Sequence, residues 1–247
     1  MNPLTDRVNE RWVTIGKIIL GLTISGLLTW FVINGLDWTM IKVVLLSLNI
    51  PLLLLSILIF LINNYIRAFR WRLLLLNENI SVHRLFIVEN EGLGLNNLIP
   101  IRVAAEAVQW TALTVNNNVN GSFTLATLGM VRVLDLIASI LILTIGFIFI
   151  EEMHEFRFYI IGISIFGLLT ISLIILMPWS HKNFPLINRV PGLKSFISSV
   201  TSLTNSPGRL SLSLSLSFIY WILIGLTVWI VALSLNIPVS LLTATVT

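Results

Sequence analysis

The chain has no cysteine among its 247 residues. That removes disulfides, thiolate-bound metals and cysteine nucleophiles from consideration. Histidine is scarce as well. His83, His154 and His181 lie in separate polar segments, none spaced as a ligand pair, so no metal centre and no cofactor is expected. Charge is the third shortage: only 11% of residues are Asp, Glu, Lys or Arg, against about 25% in a soluble domain. There is too little polar surface to cover a globule in water. No polar stretch is long enough to bury a core of its own, and no internal repeat is evident. The N-terminal MNPLTDRVNERW carries two acids and two arginines. No small-residue cleavage site follows its long apolar run, so it does not read as a signal peptide.

What the chain has instead is apolar length: 56% of it is hydrophobic and its mean hydropathy is +0.96. A helix needs about 20 apolar residues to cross the hydrocarbon core. Segments at 14–34, 47–66, 122–150, 158–178 and 212–235 reach that length. The expected fold is all-α: one integral membrane domain of about five spanning helices. The last segment opens with SLSLSLS, an alternation that suits a strand. Ser213 and Ser217 are equally helix neighbours, however, and an isolated strand cannot satisfy its backbone in lipid, so a helix is expected.

Basic residues set the orientation. Arg7, Arg11, Arg67, Arg70, Arg72, Arg84, Lys182, Arg189, Lys194 and Arg209 fall in one set of loops; Lys42 and Arg157 fall in the other, beside EEMHE. The positive-inside rule then places the first set, and the N-terminus, in the cytoplasm of a plasma-membrane protein. The net charge of +4 is accounted for by these loops and by anionic lipid headgroups, so nucleic acid is not an expected partner. The same count requires 85–120 to leave and return on one face. A re-entrant helical hairpin meets that requirement, with its two short arms joined near Asn96, Asn97 and Pro100. The stretch 179–211 is expected to be a cytoplasmic loop, broken by prolines and carrying a short surface helix near 193–203. The closing VSLLTATVT reads as the start of a further helix, so a longer protein is expected.

Three charged stretches interrupt the apolar background. RAFRWR ends the second span; its Arg67, Arg70, Arg72 and Trp71 can anchor topology at the headgroups or grip a lipid phosphate. NNLIPIRVAAEAVQW carries Arg102 and Glu106 four residues apart on one helical face. GMVRVLDLIASI places Arg132 and Asp135 in the middle of a strong span, where charge is costly and usually functional. A crosswise network is favoured, Arg132 with Glu106 and Asp135 with Arg102, because one cluster shares desolvation better than two isolated pairs. With Asn97 at the hairpin tip, these residues make a candidate headgroup site. Glu106 and Asp135 are in principle an acid/base pair. No nucleophile elbow or phosphate loop accompanies them, so an enzyme is not expected.

RAFRWRLLL, then NNLIPIRVAAEAVQ, then a span with R-x-x-D, together resemble the transmembrane region of the lysylphosphatidylglycerol synthase family, over about residues 15–240. Members typically show R-A-x-R-W-R, then a proline followed by a G-G-[DE]-x-x-R-like helix, then E-R-x-x-D. Here Ala104 and Ala105 stand where glycines are usual, Gln109 where a second arginine is usual, and Val131 where a glutamate is usual. The resemblance implies a flippase-like membrane protein. It would act on aminoacylated phosphatidylglycerol or on a lipid-linked sugar, beside an aminoacyl-transferase or glycosyltransferase partner. In the family, aminoacyl transfer belongs to a separate soluble domain.

Overall fold

The computed structural model describes residues 23, 25–27, 29–76, 78–98, 102–183 and 191–246. Every regular element among them is helical. Two compact units are present, 1–48 and 49–247. In the first, α1 (Ser25–Asn34) ends at Gly35. Asp37 then caps α2 (Trp38–Leu46), its carboxylate accepting from the amides of Thr39 and Met40 at 3.0 and 3.1 Å. Most of the expected first span, 14–34, lies outside the described residues.

The second unit holds α3 (Ile50–Leu74), α4 (Val82–Leu98), α5 (Arg102–Thr114), α6 (Gly121–Phe149), α7 (Arg157–Asn183), α8 (Pro191–Thr204), α9 (Pro207–Ser234) and α10 (Leu241–Val246). Among the described residues, four helices are long and apolar enough to cross a membrane: α3, α6, the stretch Met153–Leu173, and α9. The bent α1–α2 pair makes a fifth if it counts as one span. At about 1.5 Å per residue, α3, α6 and α9 exceed the roughly 30 Å hydrocarbon core. Their surfaces agree with lipid contact. Along α3, Leu54, Leu55, Ile57, Leu58, Phe60, Leu61 and Ile62 are all exposed, an arrangement that water would penalise. The chain is a multi-pass helical membrane protein.

Local chemistry sets the ends of these helices. Asn49 caps α3 through the Leu52 amide at 3.3 Å, and Asn120 caps α6 through Ser122 and Phe123 at 3.0 and 3.1 Å. Between α5 and α6, Asn118 turns the chain at a φ of 55°, a left-handed conformation that Asn tolerates. EEMHEF forms a short 3₁₀ turn between α6 and α7.

The hairpin expected at 85–120 is present as α4 and α5, packed on each other. At 17 and 13 residues, neither matches the length of a full crossing. Part of the junction, 99–101, lies outside the described residues.

Two expectations need correction. First, the second span does not end at 66: α3 continues to Leu74, and within RAFRWR the residues Ala68, Arg70 and Trp71 are buried against protein. Trp71 is not in an interfacial belt. It is buried, and its indole N–H donates to Thr127 Oγ1 at 3.2 Å. Second, 179–211 is not mainly a loop. α7 runs to Asn183, α8 starts at Pro191 and α9 at Pro207. Pro191 and Pro207 stand in first turns, where a missing N–H costs no helical bond.

The core gathers Trp71, Leu74 and Leu75 of α3 and its end, Leu85 and Val88 of α4, Leu113 of α5, Leu134 of α6, and Val200 and Leu203 of α8. It therefore surrounds the ends of α3 and the hairpin, while the rest of the spans face outward.

Candidate functional site

Arg132 and Asp135 lie near the middle of α6 and take partners from α5 and α3, and α9 supports the α3 partner. From α5, Glu106 Oε1 accepts from Arg132 Nε at 2.9 Å. From α3, Arg70 Nη1 forms a close ion pair with Asp135 Oδ1, and Nη2 donates to Oδ2 at 3.3 Å. From α9, Ser217 Oγ accepts from Arg70 Nη1 at 2.7 Å. Arg132 Nη1 stands 3.9 Å from Asp135 Oδ2, a loose contact along α6.

Half of the crosswise network is therefore present, Arg132 with Glu106. The other half, Asp135 with Arg102, lies outside the described residues; among those described, Asp135 is held by Arg70. Arg102 opens α5, but its side chain lies outside the described residues. Arg70 is completely buried, its guanidinium 5.4 Å from the Tyr220 ring centre. Arg72 turns to the Leu76 carbonyl at 3.3 Å, and Asn97 is exposed at the hairpin.

Arg67 has a partner the sequence reading did not single out. Its Nε lies 2.5 Å from Glu89 Oε2, an ion contact that lacks hydrogen-bond geometry. Glu89 sits on α4 and is only 4% exposed. A signal for it existed. Leu85, Val88, Glu89 and Gly92 recur at helical spacing, and all four are buried. A carboxylate on such a stripe needs a cation.

These elements enclose a cavity of about 240 Å³. Arg67, Gly92, Leu93, Asn96, Ala105, Gln109, Arg132, Asp135, Tyr220 and Trp221 line it. Of the eight candidate residues, Arg67, Arg132 and Asp135 reach its wall, while Arg70 and Glu106 hold two of those three in place. Two positions that depart from the family pattern, Ala105 and Gln109, also face it. Gly92 makes room for Gln109: a Cβ there would stand 2.8 Å from the amide Nε2.

A second, larger space of about 450 Å³ is lined by both members of the Arg132–Glu106 pair. Its walls are mostly apolar, with Val103 and Trp110 of α5, Leu125 and Leu128 of α6, and Phe196 of α8. Arg132 belongs to both spaces. The site thus offers a polar chamber and an oily groove that share one arginine.

No curated protein and no solved structure matches the chain. Residues 18–247 match the family model of the lysylphosphatidylglycerol synthase TM region, and the chain belongs to that family of membrane proteins.

Proposed function

We propose that this protein binds a membrane lipid by its polar headgroup and carries that headgroup across the plasma membrane, with its N-terminus in the cytoplasm. The observation that carries the reading is the shared arginine. A lipid is polar at one end and apolar along its chains, and Arg132 stands where a polar chamber meets an apolar groove. The headgroup would occupy the chamber and an acyl chain the groove. The family's association with lipid chemistry supports the same reading.

Moving a headgroup through the hydrocarbon region requires a polar lining that excludes neither water nor charge. The chamber supplies guanidinium, carboxylate and amide groups. The half-length α4–α5 hairpin supplies the broken element that such sites often use. Arg132 is 30% and Glu106 33% exposed at the side chain, so this pair can part and re-form more readily than a buried one.

The test is lipid translocation in proteoliposomes, using a headgroup-labelled lipid and a membrane-impermeant quencher. Arg132→Ala and Glu106→Ala are expected to abolish translocation while the protein still inserts and purifies. Wild-type rates in both variants would overturn the proposal.

A further inference from the structure

Buried polar atoms without a hydrogen-bond partner among the described residues gather along α3 and the helices packed on it. They are Asn63 Oδ1, Asn64 Nδ2 and Arg70 Nε of α3, Glu89 Oε2 of α4 and Trp221 Nε1 of α9; only Asn117 Oδ1 lies elsewhere. Three of the five donate and two accept. A group of this kind suits a small molecule that does both, which is water.

Asn63 and Asn64 matter most because of where they stand. They are 2% and 4% exposed near the middle of α3, with roughly 15–20 Å of helix on either side. Interhelical hydrogen bonds are the ordinary reason for asparagine in a span. That reason fails for Asn63 Oδ1 and Asn64 Nδ2. A buried amide at such depth is costly, and polar residues there usually mark function.

The neighbours fix their level. The Asn49 amide donates to the Ser234 carbonyl at 2.9 Å, and Ser213 Oγ donates to the Arg70 carbonyl at 3.5 Å. So α3 and α9 run antiparallel, and residue 63 stands level with Tyr220. On α4, Glu89 meets Arg67, which puts residue 63 level with Leu93, one turn on. Tyr220 and Leu93 both line the chamber, as does Arg67, one turn of α3 away from the two amides. Asn63 and Asn64 therefore continue the polar wall from Arg67 toward the middle of the span.

We infer that Asn63 and Asn64 form a hydration site behind the chamber, and that its water extends the polar route from Arg67 to the middle of the bilayer. This route rests on the lipid-translocation reading above and gives it a path: along α3 beside α9.

The chain has no cysteine, so single-cysteine variants need no further substitution. Asn63→Cys, Asn64→Cys and Leu61→Cys are made in the full chain, reconstituted in vesicles and exposed to a charged methanethiosulfonate. The reagent attacks the thiolate, which burial in apolar surroundings suppresses. Leu61 is the control, at similar depth but 49% exposed on the outside of α3. Positions 63 and 64 are expected to react at least about tenfold faster than 61, the ratio that one pKa unit of thiolate supplies. Trp221→Cys gives a further reporter from the facing helix and should react as they do. Reaction no faster than at 61 overturns the hydration site. Asn63→Leu combined with Asn64→Leu is expected to slow translocation about tenfold, the effect of one or two hydrogen bonds, and the paired serine variant should restore most of the rate. Wild-type translocation in the leucine pair overturns the route. If 63 and 64 react but Arg132→Ala translocates normally, the hydration site stands and the lipid reading falls. If Arg132→Ala stops translocation and neither position reacts, the lipid reading stands and the hydration site falls.

Discussion

Two ion pairs anchor to α6 three residues apart, and they behave as opposites. Arg70–Asp135 is sealed: the Arg70 side chain is 0% exposed, both of its Nη atoms are engaged, and Ser217 supports it from α9. Arg132–Glu106 is open. Each side chain is about a third exposed, one hydrogen bond joins them, and Asp135 waits 3.9 Å away as a second acceptor. Both are arginine–carboxylate pairs, and their surroundings differ sharply. A sealed pair ties helices together, because losing one partner strands a buried charge. An open pair that borders two cavities can exchange partners without dismantling the fold.

That contrast can be broken experimentally, and the largest effect should come from the sealed side. Arg70→Ala leaves Asp135 without its main partner and should cost about 3–5 kcal/mol. It should read as loss of monodisperse protein or a large fall in Tm in detergent. A wild-type Tm would show that the sealed pair does not hold the helices together. Trp71→Phe should be milder. It removes the indole donor to Thr127 within the same buried layer, at a cost of about 1 kcal/mol. A loss as large as that of Arg70→Ala would mean that packing, not the ion pair, dominates this layer. The smallest stability change belongs to the open pair. Arg132→Ala should cost about 0–1 kcal/mol, as partly exposed pairs do, even though the same variant is expected to lose translocation. If Arg132→Ala unfolds the protein, the distinction collapses.

The spans were legible because lipid-facing helices advertise themselves by hydropathy. α6 was expected at 122–150 and is found at 121–149; α9 was expected at 212–235 and begins five residues earlier, at Pro207. Hydropathy fails where a helix leaves lipid and enters protein. RAFRWR looked like the end of a span because it is polar, yet it is the most buried part of α3. Likewise, prolines that looked like loop breakers mark the starts of α8 and α9. Within the site, the link between Arg132 and Glu106 was foreseen because both charges needed a partner. Arg70 with Asp135 was not, since it joins residues 65 apart in the chain through the approach of α3 to α6. Glu89 is hard to single out from sequence because α4 is nearly as polar as it is apolar along its length, and only the packed face shows which carboxylate is buried.

The serine repeat that opens α9 acquires a further meaning from Arg70. With roughly 100° per residue, SLSLSLS gives the helix two hydroxyl edges, Ser211 with Ser215 and Ser213 with Ser217, about a half-turn apart with leucines between them. By composition alone, α9 could turn over and present either edge to α3. Only one edge is buried: Ser213 and Ser217 are fully covered, and Ser217 accepts from Arg70, whereas Ser211 and Ser215 are exposed. Arg70 therefore selects between two nearly equivalent rotational settings of its neighbour. In doing so it decides that Tyr220 and Trp221, one turn further along, bound the chamber instead of facing the bilayer.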